Sequence, residues 1–302
     1  MDFTDSKASS RHLGQGAVFL CAVLWSTSGL FIKLVDMHPV VIAGLRSFIA
    51  ALFMLGIRFL MPSRRHMPFK LRHLWGGGIA YSATMLTFCV ANKLTTSANV
   101  ILLQYSAPIW AALLGWLLAK EKPRMANWIS LMMVIGGLCL FFKDGLSSGS
   151  FAGNICALFS GICFGANSVF LRIQKEGDPA DAMFLAHILT AAASVPFLFS
   201  HPPLFTAANT APIIFMGIIQ LGTASLLFAY GIRRITAVNA MLTAAIEPIL
   251  NPVWVLLVTG EKPTLTAVFG GAVIIAAVLV STNINNALLG KNRSDIEVKN
   301  EI

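Results

Sequence analysis

The 302 residues are 56% hydrophobic and only 12% charged, with a formal net charge of +9 and a mean hydropathy of +0.75. A soluble domain carries about 25% charged residues, so this composition excludes an ordinary water-soluble fold. The basic excess does not indicate nucleic-acid binding either, because the basic residues cluster in alternate connections between apolar segments, as in membrane proteins.

Ten apolar stretches have roughly the 17 to 25 residues that a helix needs to cross a bilayer. The connections between them are too short for a separate soluble domain. We therefore predict an all-α integral membrane protein with ten transmembrane helices. The compact connections and the lack of a targeting segment favour the cytoplasmic membrane of a bacterium. The predicted segments are 13–35, 39–61, 73–93, 98–119, 125–142, 150–172, 181–200, 211–231, 238–259 and 264–284.

The basic residues predict the orientation of these segments. Sixteen lie in the N-terminal tail (1–12), the even-numbered connections and the C-terminal tail (285–302), against four in the odd-numbered connections. Both termini are therefore expected in the cytoplasm, which requires an even number of spans. A cleaved signal peptide is not expected, because Asp2 and Asp5 precede the first basic residues and the following apolar run has the length of a span.

The two halves of the chain carry related sequences. YSAPIWAALLGWLLAKEKP (105–123) and IEPILNPVWVLLVTGEKP (246–263) align with an offset of 140, which also matches Asn99 with Asn239. Each half holds five segments, and because five is odd the second half enters the membrane from the opposite face. Two similar halves of opposite orientation can open a central site to one face and then to the other, which is alternating access. The predicted units are the N-terminal tail, a first repeat (13–142), a second repeat (150–284) and the C-terminal tail.

Further motifs occur at the positions expected for one known family. They are LWSTSGLFIK (24–33), Pro39 followed by Arg46, the two aligned stretches above, and glycine pairs at 136–137 and 270–271. With these motifs the chain resembles the EamA family of the drug/metabolite transporter superfamily over about 13–284. One departure is Ser26, where the family often has Gly after the first-helix Trp, and this alters how closely the helix approaches its neighbour.

The resemblance implies two inverted five-helix units around a central cavity. That cavity is lined mainly by the first, third, fourth, sixth, eighth and ninth segments. The fifth and tenth segments lie at the periphery and mediate dimer contacts in some related proteins, so we expect a monomer or a homodimer. The family moves amino acids, other metabolites, sugars, quaternary amines and drugs, which leaves the substrate open.

Glu247 is the main candidate for a functional side chain. It lies in an apolar run about 14 residues, or roughly 21 Å of helix, from the polar exit at Glu261. An acid inside the membrane usually faces a cavity, a partner or a proton path. Glu247 therefore either attracts a cationic group or titrates as the coupling site of a proton-driven cycle. The alternative is a structural acid that hydrogen-bonds Asn251 one helical turn away or a polar group on a facing helix.

Other polar and aromatic side chains inside the segments are candidates for substrate binding or coupling. Amides are costly in lipid and are expected to face inward, although hydrogen bonding between helices explains them equally well. Aromatic rings at mid-depth build a site for a flat or quaternary cation through cation–π contacts, or simply pack in the core. These candidates are Gln104, Asn167, Asn251, Trp25, Tyr81, Tyr105 and Trp254.

Three prolines and one arginine are assigned mechanical roles. Pro108, Pro248 and Pro252 each remove a backbone hydrogen bond inside a helix and are predicted to form hinges, or else to let helices cross obliquely. Arg46 lies some seven residues, about 10 Å, inside the outer end of the second segment. It either pairs with an acid to lock an outward gate or extends its side chain to the lipid headgroups.

These observations favour a secondary transporter, an exporter of a small metabolite such as an amino acid or organic cation. The alternative is a membrane scaffold or receptor that keeps the fold without transport, but such a protein has no use for matched hinges. The expected partners are a small-molecule substrate and the lipid bilayer, with no nucleic acid.

An enzyme is not expected. The sequence has no Walker glycine-lysine loop, no HExxH and no GxSxG motif, and Glu247 has no second acid or base at comparable depth. No metal or cofactor is expected either, because the five cysteines fall in predicted helices without a CxxC spacing.

Overall fold

The computed structural model describes residues 3–61, 71–141, 143, 150–250, 254, 265–266, 268–277 and 279–280, and every regular element in these ranges is a helix. The predicted all-helical fold is thereby confirmed. The helices are α1 (Phe3–Trp25), α2 (Ser28–Leu34), α3 (Pro39–Leu60), α4 (Leu71–Leu94), α5 (Ser97–Gln104), α6 (Ala107–Ala119), α7 (Met125–Phe141), α8 (Phe151–Ile173), α9 (Pro179–Ser200), α10 (Ala207–Phe215), a π-helical segment (Met216–Thr223), α11 (Ala224–Ile232), α12 (Ala237–Ala244) and α13 (Val268–Ala277).

Within the described residues, seven helical stretches are long and apolar enough to cross a membrane. Three shorter apolar helices lie within the predicted fifth, ninth and tenth segments. The total of ten spans stays a prediction, and the predicted C-terminal tail lies outside the described residues. The seven long stretches are Ser9–Leu34, Pro39–Leu60, Leu71–Leu94, Asn99–Ala119, Phe151–Ile173, Pro179–Ser200 and Ala207–Ile232.

The internal repeat is visible in the local backbone. Thr96 caps α5 by accepting a hydrogen bond from the Asn99 amide, and Thr236, 140 positions later, caps α12 through the Asn239 amide. Both helices then break at equivalent turns, 105–106 after α5 and 245–246 after α12, before the helix resumes. The same short sequence pattern therefore produces the same cap and the same interruption in each half.

The packing between helices follows the same symmetry. α4 packs against α8 as α11 packs against α1, and α4 packs against α9 as the π-helical segment packs against α3. α3 and α9, which are equivalent in the two halves, pack against each other, so the axis relating the halves passes between them. The halves interdigitate, and a motion of either one alters contacts with the other.

Charged side chains connect the helix ends on both faces of the bundle. We call the face that carries 120–124, 174–178 and 233–236 the N-terminal face, and the face that carries 35–38 and 201–206 the opposite face. On the N-terminal face, Arg172 Nε donates to Glu121 Oε1 at 2.7 Å, and its Nη1 donates to the carbonyls of Ile232 and Arg233 at 3.1 and 2.9 Å. These bonds join the ends of α6, α8 and α11.

A second pair of contacts is repeated on the two faces. On the opposite face, Lys93 Nζ donates to the carbonyl oxygen of Val35 at 2.8 Å. The residues 140 positions later make the same contact on the N-terminal face, where Arg233 Nε donates to the carbonyl of Lys175 at 3.1 Å. Each face therefore carries the same basic contact between equivalent helix ends.

Glycines let α8 approach the interruption between α5 and α6. A Cβ atom on Gly161 would lie 2.7 Å from the carbonyl oxygen of Gln104, and one on Gly165 would lie 2.6 Å from that of Ala107. Real Cβ atoms do not approach backbone oxygens this closely. The lack of a side chain at these two positions of α8 therefore allows the broken helix to pack closely against it.

Gly161→Ala is predicted to lower the free energy of unfolding by about 1–3 kcal/mol, because backbone atoms have to move to accept the methyl group. Gly56→Ala in α3 is the matched control, since a Cβ there meets nothing within 4 Å. That control is expected to be neutral or to stabilise by up to about 1 kcal/mol, as alanine does in helices. Thermal unfolding of the purified proteins measures the difference, and equal stability of the two variants would contradict the close approach.

Candidate functional site

A central cavity of about 50 Å³ lies where the interrupted helices meet. Its walls come from both halves of the chain, as expected for a site between two repeats. Seven polar or charged residues and five apolar residues line it. They are Ser28, Arg46, Tyr81, Thr84, Gln104, Gln220 and Glu247, with Trp25, Met85, Phe88, Phe164 and Leu221.

Glu247 is held at the interruption of the ninth predicted segment. It is 6% exposed and is the first residue after the turn 245–246. Tyr105, in the equivalent turn of the first half, places its hydroxyl oxygen 3.0 Å from Glu247 Oε2 and 2.6 Å from the carbonyl oxygen of Ala244. The two helix interruptions are therefore in direct contact, and the acid lies where they meet.

The Tyr105 hydroxyl carries one proton and faces two acceptors, so it donates to only one of them. If it donates to the freed carbonyl of Ala244, Glu247 makes its hydrogen bond only as a protonated carboxyl that donates to Tyr105. If Glu247 is ionised, it accepts the Tyr105 proton instead. The site thus has one hydrogen-bond arrangement for each protonation state of Glu247.

Arg46 lines the same cavity from α3. Its side chain is 2% exposed, so it does not extend to the headgroups, which was one of the two alternatives from the sequence. Nη1 donates to Gln220 Oε1 across 3.4 Å, and Nε has no hydrogen-bond partner within the described part of the chain. A guanidinium group has five N–H donors, so donors remain for an anionic group in the cavity.

Gln220 was missed by the sequence analysis. It lies in the π-helical segment Met216–Thr223, is 1% exposed and accepts from Arg46. Short π-helical insertions in α-helices often occur at functional sites. The available signal was a lone amide inside the apolar stretch 211–231, which periodicity alone could not assign to the cavity.

The aromatic wall differs from the box of Trp and Tyr rings that the sequence suggested. The Trp25 ring lies 5.3 Å from the Phe164 ring and 5.2 Å from the Phe228 ring, measured between centroids. Tyr230, which carries an aromatic ring in the same apolar stretch as Gln220, is 41% exposed and its ring packs under Arg234. Only Tyr81 adds a phenol group to the cavity wall.

Ser26, the departure from the family pattern, has a specific contact. Its hydroxyl donates to the carbonyl of Val23 at 2.6 Å and accepts from Trp254 Nε1 at 2.7 Å. Thr27 donates in the same way to the carbonyl of Leu24 at 2.8 Å. These two side chains hydrogen-bond to backbone carbonyls at the break between α1 and α2.

Several predicted residues lie beside the cavity rather than on its wall. Tyr105 supports Glu247, Trp254 supports Ser26, and Asn167 directs its amide toward Met183 Sδ at 4.0 Å. Asn251 and Pro252 lie outside the described residues. The structure brings together Trp25, Arg46, Tyr81, Gln104 and Glu247.

The hinge assignment stays a prediction. Pro108 lies in the first turn of α6, directly after the turn 105–106. Pro248 follows Glu247 at the equivalent place in the second half. Both prolines therefore accompany an interruption, and movement at these points is not established by their position.

Comparison with known proteins shows the family. Residues 12–143 and 151–283 each match the model of the EamA-like transporter family, so each half of the chain matches the same model separately. The chain belongs to the EamA-like transporter family. This membership makes the protein a multi-pass membrane transporter and indicates a small-molecule substrate.

Relatives of similar length carry transporter names. A protein of Archaeoglobus fulgidus named "Uncharacterized transporter" is 26% identical over 277 residues, 89% of this chain and 96% of that protein. The riboflavin transporter ImpX of Fusobacterium nucleatum is 26% identical over 199 residues, 62% of this chain and 66% of that protein. A protein crystal structure that is 19% identical covers 91% of this chain and 98% of its own chain with a TM-score of 0.74, a likeness of fold alone.

Tyr105→Phe is predicted to lower the free energy of unfolding by about 1–3 kcal/mol, because it leaves the Ala244 carbonyl or Glu247 without its buried partner. Tyr230→Phe removes the same hydroxyl from an exposed ring and should change stability by less than about 0.5 kcal/mol. Thermal unfolding of Tyr105→Phe, Glu247→Gln and the double variant gives the coupling between the two residues. Additive effects would contradict a direct contact between them.

Proposed function

We propose that this EamA-like protein is a secondary transporter that exports a small zwitterionic metabolite by alternating access, in exchange for protons. The observation that carries the proposal is that a buried acid, Glu247, and a buried base, Arg46, line one cavity between the two repeats. Isolated buried charges are costly, and a ligand with both a cationic and an anionic group compensates both at once.

The two ends of a zwitterion fit different walls of the cavity. Arg46 and Gln220 present hydrogen-bond donors, and arginine pairs well with carboxylates. Glu247 attracts an ammonium group, and the faces of Trp25 and Phe164 add cation–π attraction. The cavity of about 50 Å³ is below the range of about 300–1,000 Å³ for small-molecule sites, so even an amino acid requires it to widen, and a larger drug is disfavoured further.

The proposed coupling follows from competition at Glu247. The carboxylate binds either a proton or the ammonium group of the substrate, so each displaces the other. Proton and substrate then cross the membrane in opposite directions, and an inward proton gradient drives the substrate outward. The two hydrogen-bond arrangements of Tyr105 accommodate both states of the acid.

The proposed direction uses the orientation given by the basic residues, with both termini and the N-terminal face in the cytoplasm. In the structure the ends of α6, α8 and α11 are joined on that face by Arg172 and Glu121. Breaking these contacts would open the cavity to the cytoplasm when the two halves exchange conformations.

The first test is a thermal-unfolding screen of the purified protein with zwitterionic amino acids, quaternary amines, sugars and riboflavin. We expect a zwitterionic amino acid to stabilise the wild type, and Arg46→Gln to weaken its binding by at least about ten-fold, because hydrogen bonds to charged groups contribute about 1.5–3 kcal/mol. A quaternary amine without a carboxylate should bind Arg46→Gln as well as wild type. Arg58→Gln, on the same helix but at an exposed side chain paired with Asp181, is the matched control for charge loss.

Flux into proteoliposomes then separates transport from binding. The wild type is expected to move the stabilising ligand in response to a proton gradient, and Glu247→Gln to fold but lose that response. Binding without flux in the wild type would favour a scaffold or receptor. If Glu247→Gln keeps the flux and the proton dependence of the wild type, the role of Glu247 is structural.

A further inference from the structure

Two groups of polar side chains join the two halves of the chain, one at each face of the bundle. On the N-terminal face, Asn127 Nδ2 at the start of α7 donates to Asn239 Oδ1 at the start of α12, at 2.8 Å. Both side chains are buried. We call these two residues the N-terminal-face pair. They belong to different halves, so their bond holds one half against the other.

Three side chains join the halves in the same way on the opposite face. Asn154 Oδ1, near the start of α8, accepts from Thr95 Oγ1 at 3.2 Å and from Asn99 Nδ2 at 3.3 Å. Asn99 Nδ2 also lies 3.3 Å from Thr95 Oγ1. We call these three residues the opposite-face cluster. Because Asn99 and Asn154 come from different halves, this cluster also holds the halves together.

The internal repeat places both groups. Asn99 and Asn239 are 140 positions apart, and the backbone amide of each donates to the capping threonine three residues earlier, at 3.2 and 3.3 Å. The helices that begin there end beside the central cavity, α5 at Gln104 and α12 at the turn before Glu247. Equivalent asparagines thus fasten the far ends of the two short helices that reach the cavity, one on each face.

These contacts oppose widening of the cavity. With both groups bonded, the cavity is about 50 Å³ and has to widen before it holds even an amino acid. Widening toward one face separates the helix ends on that face, and the amides there lose their partners. A buried amide without a partner is unfavourable, so each group favours the closed arrangement of its own face.

We propose that the N-terminal-face pair and the opposite-face cluster each keep the central cavity closed to their own face, so that one of them breaks whenever the protein opens on that side. Alternating access then consists of breaking them in turn. The inference rests on the alternating access of the proposed function, but it needs neither a zwitterionic substrate nor coupling to protons.

The test measures access to the cavity in the absence of substrate. The parent protein carries Thr84→Cys on the cavity wall and alanine in place of the five native cysteines. A membrane-impermeant thiol reagent is applied to right-side-out and to inverted vesicles. Asn127→Ala should raise the labelling rate from the side of the N-terminal face, and Asn154→Ala that from the other side. Each increase should be about two- to ten-fold, the factor that one net hydrogen bond gives.

Substitution by aspartate separates loss of the bond from loss of side-chain volume. Asn154 is an acceptor in its cluster, so Asn154→Asp keeps that role and should be labelled like the parent. Asn127 is the donor to Asn239, while its Oδ1 accepts from the Arg124 backbone amide at 3.0 Å. Asn127→Asp therefore keeps the backbone contact, loses the bond between the halves and should be labelled like Asn127→Ala. Aspartate is favourable in the first turn of a helix, so both variants are expected to fold.

The two alanine variants are controls for each other, because both remove one amide at the start of a helix. Labelling shifts toward opposite sides would support the proposal, whereas shifts toward the same side or unchanged rates would overturn it. Labelling of Asn127→Asp at the rate of the parent would overturn it as well. Proton-driven flux with unchanged labelling in the variants would reject this inference alone, and opposite shifts without proton-driven flux would reject only the proposed coupling.

Discussion

Inside a bilayer every backbone hydrogen-bonding group needs a partner within the protein, and the site depends on this constraint. The chain breaks its helices after Trp25, Gln104 and Ala244, which frees carbonyls in the apolar interior. Side chains supply the partners: Ser26 and Thr27 bond carbonyls of α1, and Tyr105 bonds Ala244. Because these breaks are tolerated only away from lipid, they meet at the centre, and the cavity forms there.

The two halves share a pattern but not one conformation. The caps at Thr96 and Thr236 and the breaks that follow are equivalent. In contrast, α1 and α2 are separated by a break whereas α8 is continuous, and α4 is continuous whereas its counterpart contains the π-helical segment. Alternating access needs two similar units in different conformations, and the two halves differ in conformation in this way. It also places Gln220 where it reaches Arg46.

The sequence predicted the all-helical fold, the two repeats of the family and a buried acid, because length, hydropathy and an isolated charge are properties of the chain itself. It did not predict which way the helices are rotated. In a membrane bundle both the lipid-facing and the core-facing sides are apolar, so periodicity gives little information on orientation. Arg46 was therefore assigned either to a pair with an acid or to the headgroups, and Gln220 was overlooked. The contact of Tyr105 with Glu247 required the relative placement of the halves.

The most direct test of the account is access to the central cavity from each side of the membrane. Thr84→Cys, on the cavity wall, is introduced after the five native cysteines are replaced by alanine. A membrane-impermeant thiol reagent is applied to right-side-out and to inverted vesicles. The account predicts labelling from both sides, with a ratio that shifts when substrate or a proton gradient is added. Labelling from one side only, under all of these conditions, would contradict alternating access through this cavity.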